Sequence, residues 1–82
     1  MKTMYVYLSE NTYTTEHNTH MVGLMWALHR AGDLEMIEHK DREEMGAVEY
    51  KVKASNWVAN FLKYMELCDM LMVTTEPIDT EA

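Results

Sequence analysis

Two histidines near residue 20 have a spacing that places metal-ligating groups together. His17 and His20 are three residues apart, beside Glu16, and on a helix such residues share a face. Imidazole nitrogens bind zinc and nickel, but a zinc site in a protein needs three or four ligands. The further candidates by residue type are His39, Cys68 and Asp69. Since two histidines on an exposed first turn are usually solvated, we expect no bound metal and no cofactor.

Catalytic chemistry has little support in the residue types and their order. Cys68 is the one cysteine, and no Cys–His motif surrounds it. Its place at the end of an apolar helical stripe predicts a small core residue rather than a nucleophile. The chain has three glycines, too few for the common nucleotide-binding loops. Without a Ser/His/Asp order or a distinctive carboxylate pair, we expect a protein that is not an enzyme.

Features that would direct the chain to a membrane or to secretion are also missing. The apolar stretch at residues 4–8 is short for a secretion signal, and no apolar run approaches the roughly 18 residues that span a bilayer. One cysteine cannot form an internal disulfide, which fits a reducing compartment. We therefore predict a cytoplasmic protein that does not bind membranes.

Short runs of β-branched and aromatic residues predict four strands. The runs cover residues 4–8, 34–39, 48–52 and 70–75. The polar segment 41–46 predicts a hairpin connection before the third strand, in which apolar and charged residues alternate strictly. Residues 70–72 can instead extend the preceding helix, but the Val-Thr-Thr run before Pro77 favours a strand.

Two helices are predicted from apolar residues at helical spacing. The first is capped by Thr14 or Thr15 and ends at Gly32, and the second is capped by Ser55. Their inner stripes are Met21, Leu24, Met25 and Leu28 in the first, and Val58, Phe61, Leu62 and Met65 in the second. The order β-α-β-β-α-β predicts an α+β, ferredoxin-like sandwich with both helices on one face of an antiparallel sheet.

RNA-recognition modules share this predicted fold and stack bases on aromatic residues of the open sheet face. Strand alternation directs Tyr5 and Tyr7 outward here, whereas Tyr50 is in phase with its apolar neighbours and points inward. The outward residues of that third strand are then Glu49, Lys51 and Lys53. An acidic chain also repels phosphates. We therefore predict no direct binding of nucleic acid.

The helices carry more apolar residues than one face of a four-stranded sheet covers. Trp26 flanks the inner stripe of the first helix, and Trp57 and Tyr64 flank that of the second. We expect some of these aromatic residues to reach the surface and contact a partner, since aromatic residues dominate interface energetics. The alternative is that both tryptophans are core residues. The surplus also favours a homodimer, because a chain this small gains stability by pairing apolar surface.

Acidic residues give the 82-residue chain a formal net charge of −7, and they are unevenly spread. Residues 33–49 hold seven acids against two basic residues, and five acids but no Lys or Arg lie beyond residue 65. We predict one domain at residues 1–76 and an acidic, frayed tail at 77–82. The charge serves solubility, or it favours basic surfaces of other proteins.

A small acidic regulator or inhibitor is the function that these features predict. It binds a basic surface of another protein, steered by carboxylates and held by aromatic residues. The interface candidates are Trp26, Glu35, Glu38, Asp41, Glu43, Glu44, Trp57 and Tyr64. In size and charge the chain resembles accessory and anti-defence proteins of bacteriophages, and in a sharper hypothesis its carboxylates imitate a nucleic-acid backbone. The alternative is a small-ligand-sensing or metal-binding homodimeric domain.

Overall fold

Six main elements follow one another in the order β-α-β-β-α-β in the computed structural model, which describes residues 1–9 and 15–79 and, in the first helix, side chains from residue 19 onward. The elements are β1 (Lys2–Ser9), α1 (Thr15–Ala31), β2 (Leu34–Arg42), β3 (Ala47–Ala54), α2 (Asn56–Leu67) and β4 (Met72–Thr74). The predicted order is confirmed, and the last segment forms a short strand. The predicted cap at Thr14 lies outside the described residues.

The four strands form one antiparallel sheet in the order β2-β3-β1-β4. Side chains from one face of this sheet pack with both helices into a single core. Its buried members are Met4, Val6, Leu8, Met21, Met25, Leu34, Val52, Ala54, Val58, Ala59, Leu62 and Leu71. Tyr50 packs against this core from β3, as its phase predicted. The α+β, ferredoxin-like class is therefore confirmed.

β2 extends further than the sequence indicated. Asp41 and Arg42 were assigned to a hairpin connection, but both are strand residues, and Arg42 pairs with Ala47. A single 3₁₀ turn (Glu43–Met45) then makes the connection, closed by Gly46 at a φ of 63°. The imperfect alternation of β2 has a local cause, because a register shift between Met36 and Glu38 inserts one extra residue into the strand.

Both helices end in the same hydrogen-bonding pattern, in which a left-handed residue reverses the chain. At the end of α1, Gly32 has a φ of 84° and its N–H bonds to the carbonyl of His29. The next N–H, of Asp33, reaches back to the carbonyl of Leu28. These two bonds define a Schellman motif and confirm the predicted stop at Gly32.

The left-handed position at the end of α2 is occupied by Asp69, with a φ of 58°. Its N–H bonds to the carbonyl of Glu66, and the N–H of Met70 bonds to the carbonyl of Met65. An L-residue with a side chain pays a steric cost in this conformation, and a carboxylate at a helix C-terminus opposes the helix dipole. The end of α2 is therefore formed correctly but with a less favourable residue than that of α1.

The two ends of α2 differ from the sequence interpretation in detail. Ser55 is the N-cap residue, as predicted, but its hydroxyl makes no capping bond and has no partner among the described residues. Cys68 is exposed, so its assignment to the core was wrong. It lies eleven residues after Trp57, close to three full turns, and therefore follows the outward face of the helix.

Neither described helix has the length together with the apolar composition that crossing a membrane requires.

The end of α1 and the start of α2 are linked through the backbone, because the N–H of Ser55 donates to the carbonyl of Asp33 at 3.0 Å. The C-terminal turn of α1 and the N-terminal turn of α2 therefore sit side by side at one end of the helical layer.

We expect Asp69→Gly to raise the free energy of unfolding by about 0.5–1 kcal/mol, because glycine removes the left-handed strain and the carboxylate at the helix end. Urea denaturation followed by circular dichroism measures the change. Asp69→Asn, which removes only the charge, separates the two causes. A variant with glycine that is less stable than the native protein would contradict this explanation of the helix end.

Candidate functional site

Opposite charges face each other across β2 and β3 on the open side of the sheet, away from the helices. The pairs in register are Glu35 with Lys53, Glu38 with Lys51, and Lys40 with Glu49. Directly opposed residues of an antiparallel pair have Cβ atoms about 5 Å apart, within reach of each other's charge. Glu35 and Glu38 therefore belong to a locally compensated surface, although the sequence had indicated an uncompensated acidic segment.

A buried polar cluster lies at one end of this open face. The hydroxyl of Tyr7 donates to Glu49 Oε2 at 2.7 Å, and Arg42 Nη1 donates to the same oxygen at 2.6 Å. Arg42 Nε also bonds to Glu44 Oε1 at 2.5 Å. The side chains of Arg42 and Glu49 are only 8% and 10% exposed, and Tyr7 is 3% exposed. Buried charges of this kind are tolerated because they are paired and hydrogen-bonded.

The C-terminal segment completes the cluster. Arg42 Nη2 donates to the carbonyl of Ile78 at 2.6 Å, and the N–H of Ile78 donates to the hydroxyl of Tyr7 at 2.9 Å. The predicted phase of Tyr7 and Glu49 places them on the open face, but their expected exposure was wrong, because the segment around Ile78 covers this part of the sheet. Ile78 lies within the tail expected to be frayed, of which residues 80–82 are outside the described residues.

The protonation states of the cluster follow from these contacts. Burial raises the pKa of Tyr7; the N–H of Ile78 lowers that pKa in part, and the Glu49 carboxylate raises it again. The pKa of Arg42 is also raised, mainly by its bond to Glu44 and despite the opposing effect of desolvation, so the guanidinium stays charged. A neutral phenol and a permanent cation joined to carboxylates hold a segment of chain in place. They do not form a nucleophile–base pair.

Four exposed carboxylates lie on the two segments that Arg42 joins. Two separate stretches of the chain supply them, because the guanidinium of Arg42 contacts both Glu44 and Ile78. We call Glu43, Glu44, Glu76 and Asp79 the acidic surface. The predicted candidate Asp41 is exposed but is not part of it, because Asp41 pairs with Val48 and therefore points to the opposite face of the sheet from Arg42. The sequence indicated two acidic regions, but it did not indicate that they meet. The one available signal was Arg42, the single basic residue between positions 41 and 49.

The predicted aromatic candidates lie on the other side of the molecule. Trp26, Trp57 and Tyr64 are 46%, 54% and 63% exposed on the helices, so the expectation that some of them reach the surface is confirmed. Leu67, at 82% exposure, was not among the candidates, although it follows Tyr64 by three residues on the same helix. The interface candidates are therefore divided between the β2 side of the sheet and the helical layer.

Trp26 is held in place by a neighbouring histidine. The rings of Trp26 and His29 meet edge to face with centroids 5.4 Å apart. His29 is itself fixed, because its Nδ1 accepts a hydrogen bond of 3.2 Å from the N–H of Met36 in β2. An exposed aromatic side chain that is already ordered loses less conformational entropy when it enters a contact.

The positions of the described side chains give little support to a metal site or to RNA binding. Among residues 1–9 and the described side chains from residue 19 onward, no group of three or more His, Cys, Asp or Glu could hold a metal ion. His17, half of the predicted pair, has its side chain outside that description. His39 stacks on Tyr50 instead, at a centroid distance of 6.1 Å. Tyr7, needed for base stacking, is buried under the C-terminal segment.

Comparisons of the chain with protein-family models, with curated proteins and with solved structures find no match. The acidic surface and the exposed aromatic residues of the helical layer lie on different faces.

We expect Tyr7→Phe to lower the free energy of unfolding at pH 7 by about 1–3 kcal/mol, because Glu49 and the N–H of Ile78 each lose a buried partner. The amide of Ile78 should also exchange with solvent faster. Urea denaturation and amide exchange measure the two effects, with Tyr64→Phe, at an exposed position, as the matched control.

The stability difference between native protein and Tyr7→Phe should shrink as the pH rises above 10. An unfolded tyrosine ionises near pH 10, whereas the raised pKa keeps Tyr7 neutral in the folded protein. The folded state then binds more protons than the unfolded state, so this contribution is complete below pH 10 and is lost above it. A difference that stays constant from pH 7 to pH 11 would contradict the placement of Tyr7 in the cluster.

Proposed function

We propose that this protein is a non-catalytic interaction module, a small regulator or inhibitor that binds a basic surface of a partner protein through its acidic surface. The observation that carries the proposal is the meeting of two acidic stretches at one place, through the bonds of Arg42 to Glu44 and Ile78. Glu43, Glu44, Glu76 and Asp79 are all exposed on these two stretches.

The balance of charge supports this location over the rest of the sheet. Glu35 and Glu38 face lysines across the strands, whereas Arg42, the cation that contacts the acidic surface, is buried and engaged with carboxylates. A concentrated negative field of this kind raises the rate of encounter with a basic surface and selects against acidic ones. The steering residues are therefore expected to be those of the acidic surface, and not all of the acids in residues 33–49.

A narrower form of the proposal concerns partners that handle nucleic acid. Carboxylates on the turn after β2 and on an anchored segment can bind the Lys and Arg side chains that otherwise contact phosphates. Such a partner would bind this protein and a nucleic acid in competition, and raised salt would weaken both complexes.

We expect Glu43→Gln/Glu76→Gln to reduce recovery of the partner at least about tenfold when tagged protein is incubated with lysate of the native host, because each carboxylate near a basic surface contributes to association. Quantitative mass spectrometry across a series of salt washes measures the recovery. The native protein should retain one stoichiometric protein at low salt and release it as salt is raised. Added short duplex DNA should release it as well if the partner handles nucleic acid.

Glu35→Gln/Glu38→Gln is the matched control, since it changes the net charge by the same amount at acids that already face lysines. This variant should retain the partner as the native protein does. Equal recovery by both variants would refute the assignment to the acidic surface. Recovery of nothing above background by the native protein would refute the proposed function.

A further inference from the structure

The outward side of α2 has the spacing of a helix-pairing surface. Trp57, Asn60, Tyr64 and Leu67 are separated by three, four and three residues, the heptad spacing at which side chains of two helices interlock. All four are exposed, Leu67 by 82%. The opposite side of the helix contributes Val58, Ala59 and Leu62 to the core. We call the four outward residues the α2 seam.

The described side chains of the two helices include no exposed acid. Among the exposed residues described on α1 from residue 19 onward and on α2, none is acidic, and Arg30 and Lys63 are the cations. Glu66, the one acid of α2, is partly buried and accepts the N–H of Val73 at 2.6 Å. In a chain of net charge −7, this is the face on which two copies can meet with the least electrostatic repulsion.

We propose that two copies of this chain associate through the α2 seam, with their α2 helices antiparallel about a two-fold axis. Antiparallel pairing centred between residues 57 and 67 sets Trp57 against the partner's Leu67, and Asn60 against the partner's Tyr64. The seam is complementary to itself in this register, since each aromatic residue meets a smaller side chain and the amide of Asn60 can bond to a phenol. A contact of this type uses the same patch on both copies, as closed two-fold symmetry requires.

The area available fits a dimer of moderate affinity. Aromatic side chains bury roughly 150–250 Å² each, so the exposed parts of Trp57, Tyr64 and Leu67 amount to about 400 Å² per copy. That is roughly half of the 800 Å² per partner that stable interfaces bury. The remainder must come from exposed polar residues beside the seam on α2, Asn56 and Lys63 among them.

This pairing leaves the acidic surface uncovered on both copies, so it does not depend on the proposed function. The two associations respond to salt in opposite directions. Screening weakens the attraction between the acidic surface and a basic partner, whereas it relieves the repulsion between two copies of charge −7. Salt dependence therefore distinguishes failure of one proposal from failure of the other.

Sedimentation equilibrium of the purified protein, over micromolar to millimolar concentrations and a salt series, tests the association. We expect a monomer–dimer equilibrium that strengthens with salt and weakens at least about tenfold in Leu67→Glu and in Tyr64→Ala. Ile37→Glu is the matched control, because Ile37 is an exposed apolar residue of β2 outside the helical layer; it should associate as the native protein does. Circular dichroism checks that each variant is folded.

Cross-linking through the thiol of Cys68 measures the register of the proposed antiparallel helix pair. Antiparallel pairing as proposed places the Cα atoms of Cys68 in the two copies about 20 Å apart. A bismaleimide of that length should cross-link the dimer, the shortest bismaleimides should not, and Cys68→Ser should abolish the product. A monomer at every concentration overturns the proposal and leaves the α2 seam to a different protein. A dimer that is insensitive to Leu67→Glu, or that is cross-linked only by the shortest reagent, also overturns it.

Discussion

The guanidinium of Arg42 makes the contacts that hold the turn after β2 and the C-terminal segment against the sheet. It stands at the last residue of β2 and donates to Glu44, to Glu49 and to the carbonyl of Ile78. Removing a charge from water is costly, and only this complete set of acceptors makes its burial tolerable. The same set fixes the turn after β2, the open face of β3 and the C-terminal segment relative to one another. The buried side chain of Arg42 thus brings together the two segments that carry the exposed carboxylates.

This dependence explains why carboxylates and aromatic residues do not form one site. The C-terminal segment is drawn onto the open face of the sheet, so its acids accompany those that follow β2. The aromatic residues lie on the helices because their inner stripes already fill the core with Met25, Val58 and Leu62. The acids and the tryptophans therefore lie on different faces of the molecule. Two separate contacts are what the two faces offer.

Local patterns in the sequence were sufficient for the element order, the core stripes and the end of α1. These depend on residues close together in the chain: the period of apolar residues, and a glycine where the backbone turns left-handed. The burial of Tyr7 depends instead on Glu49 and Ile78, which follow it by 42 and 71 residues in the chain. Alternation along a strand cannot reveal which distant segment covers that strand. The exposure of Cys68 was missed for a related reason, since the inner stripe of α2 stops before the helix does.

The separation of Tyr7 and Ile78 along the chain has a consequence for how the protein is made. During synthesis β1 is produced early, but the acceptor that completes the bonding of Arg42 is supplied 71 residues after Tyr7. Contacts of such long range are slow to form, because the closure of the intervening loop must come first. Without Ile78, Arg42 and Tyr7 form an incomplete polar cluster on an uncovered part of the sheet. The acidic surface therefore depends on a contact between distant parts of the chain, and anything that delays loop closure also delays the formation of this surface.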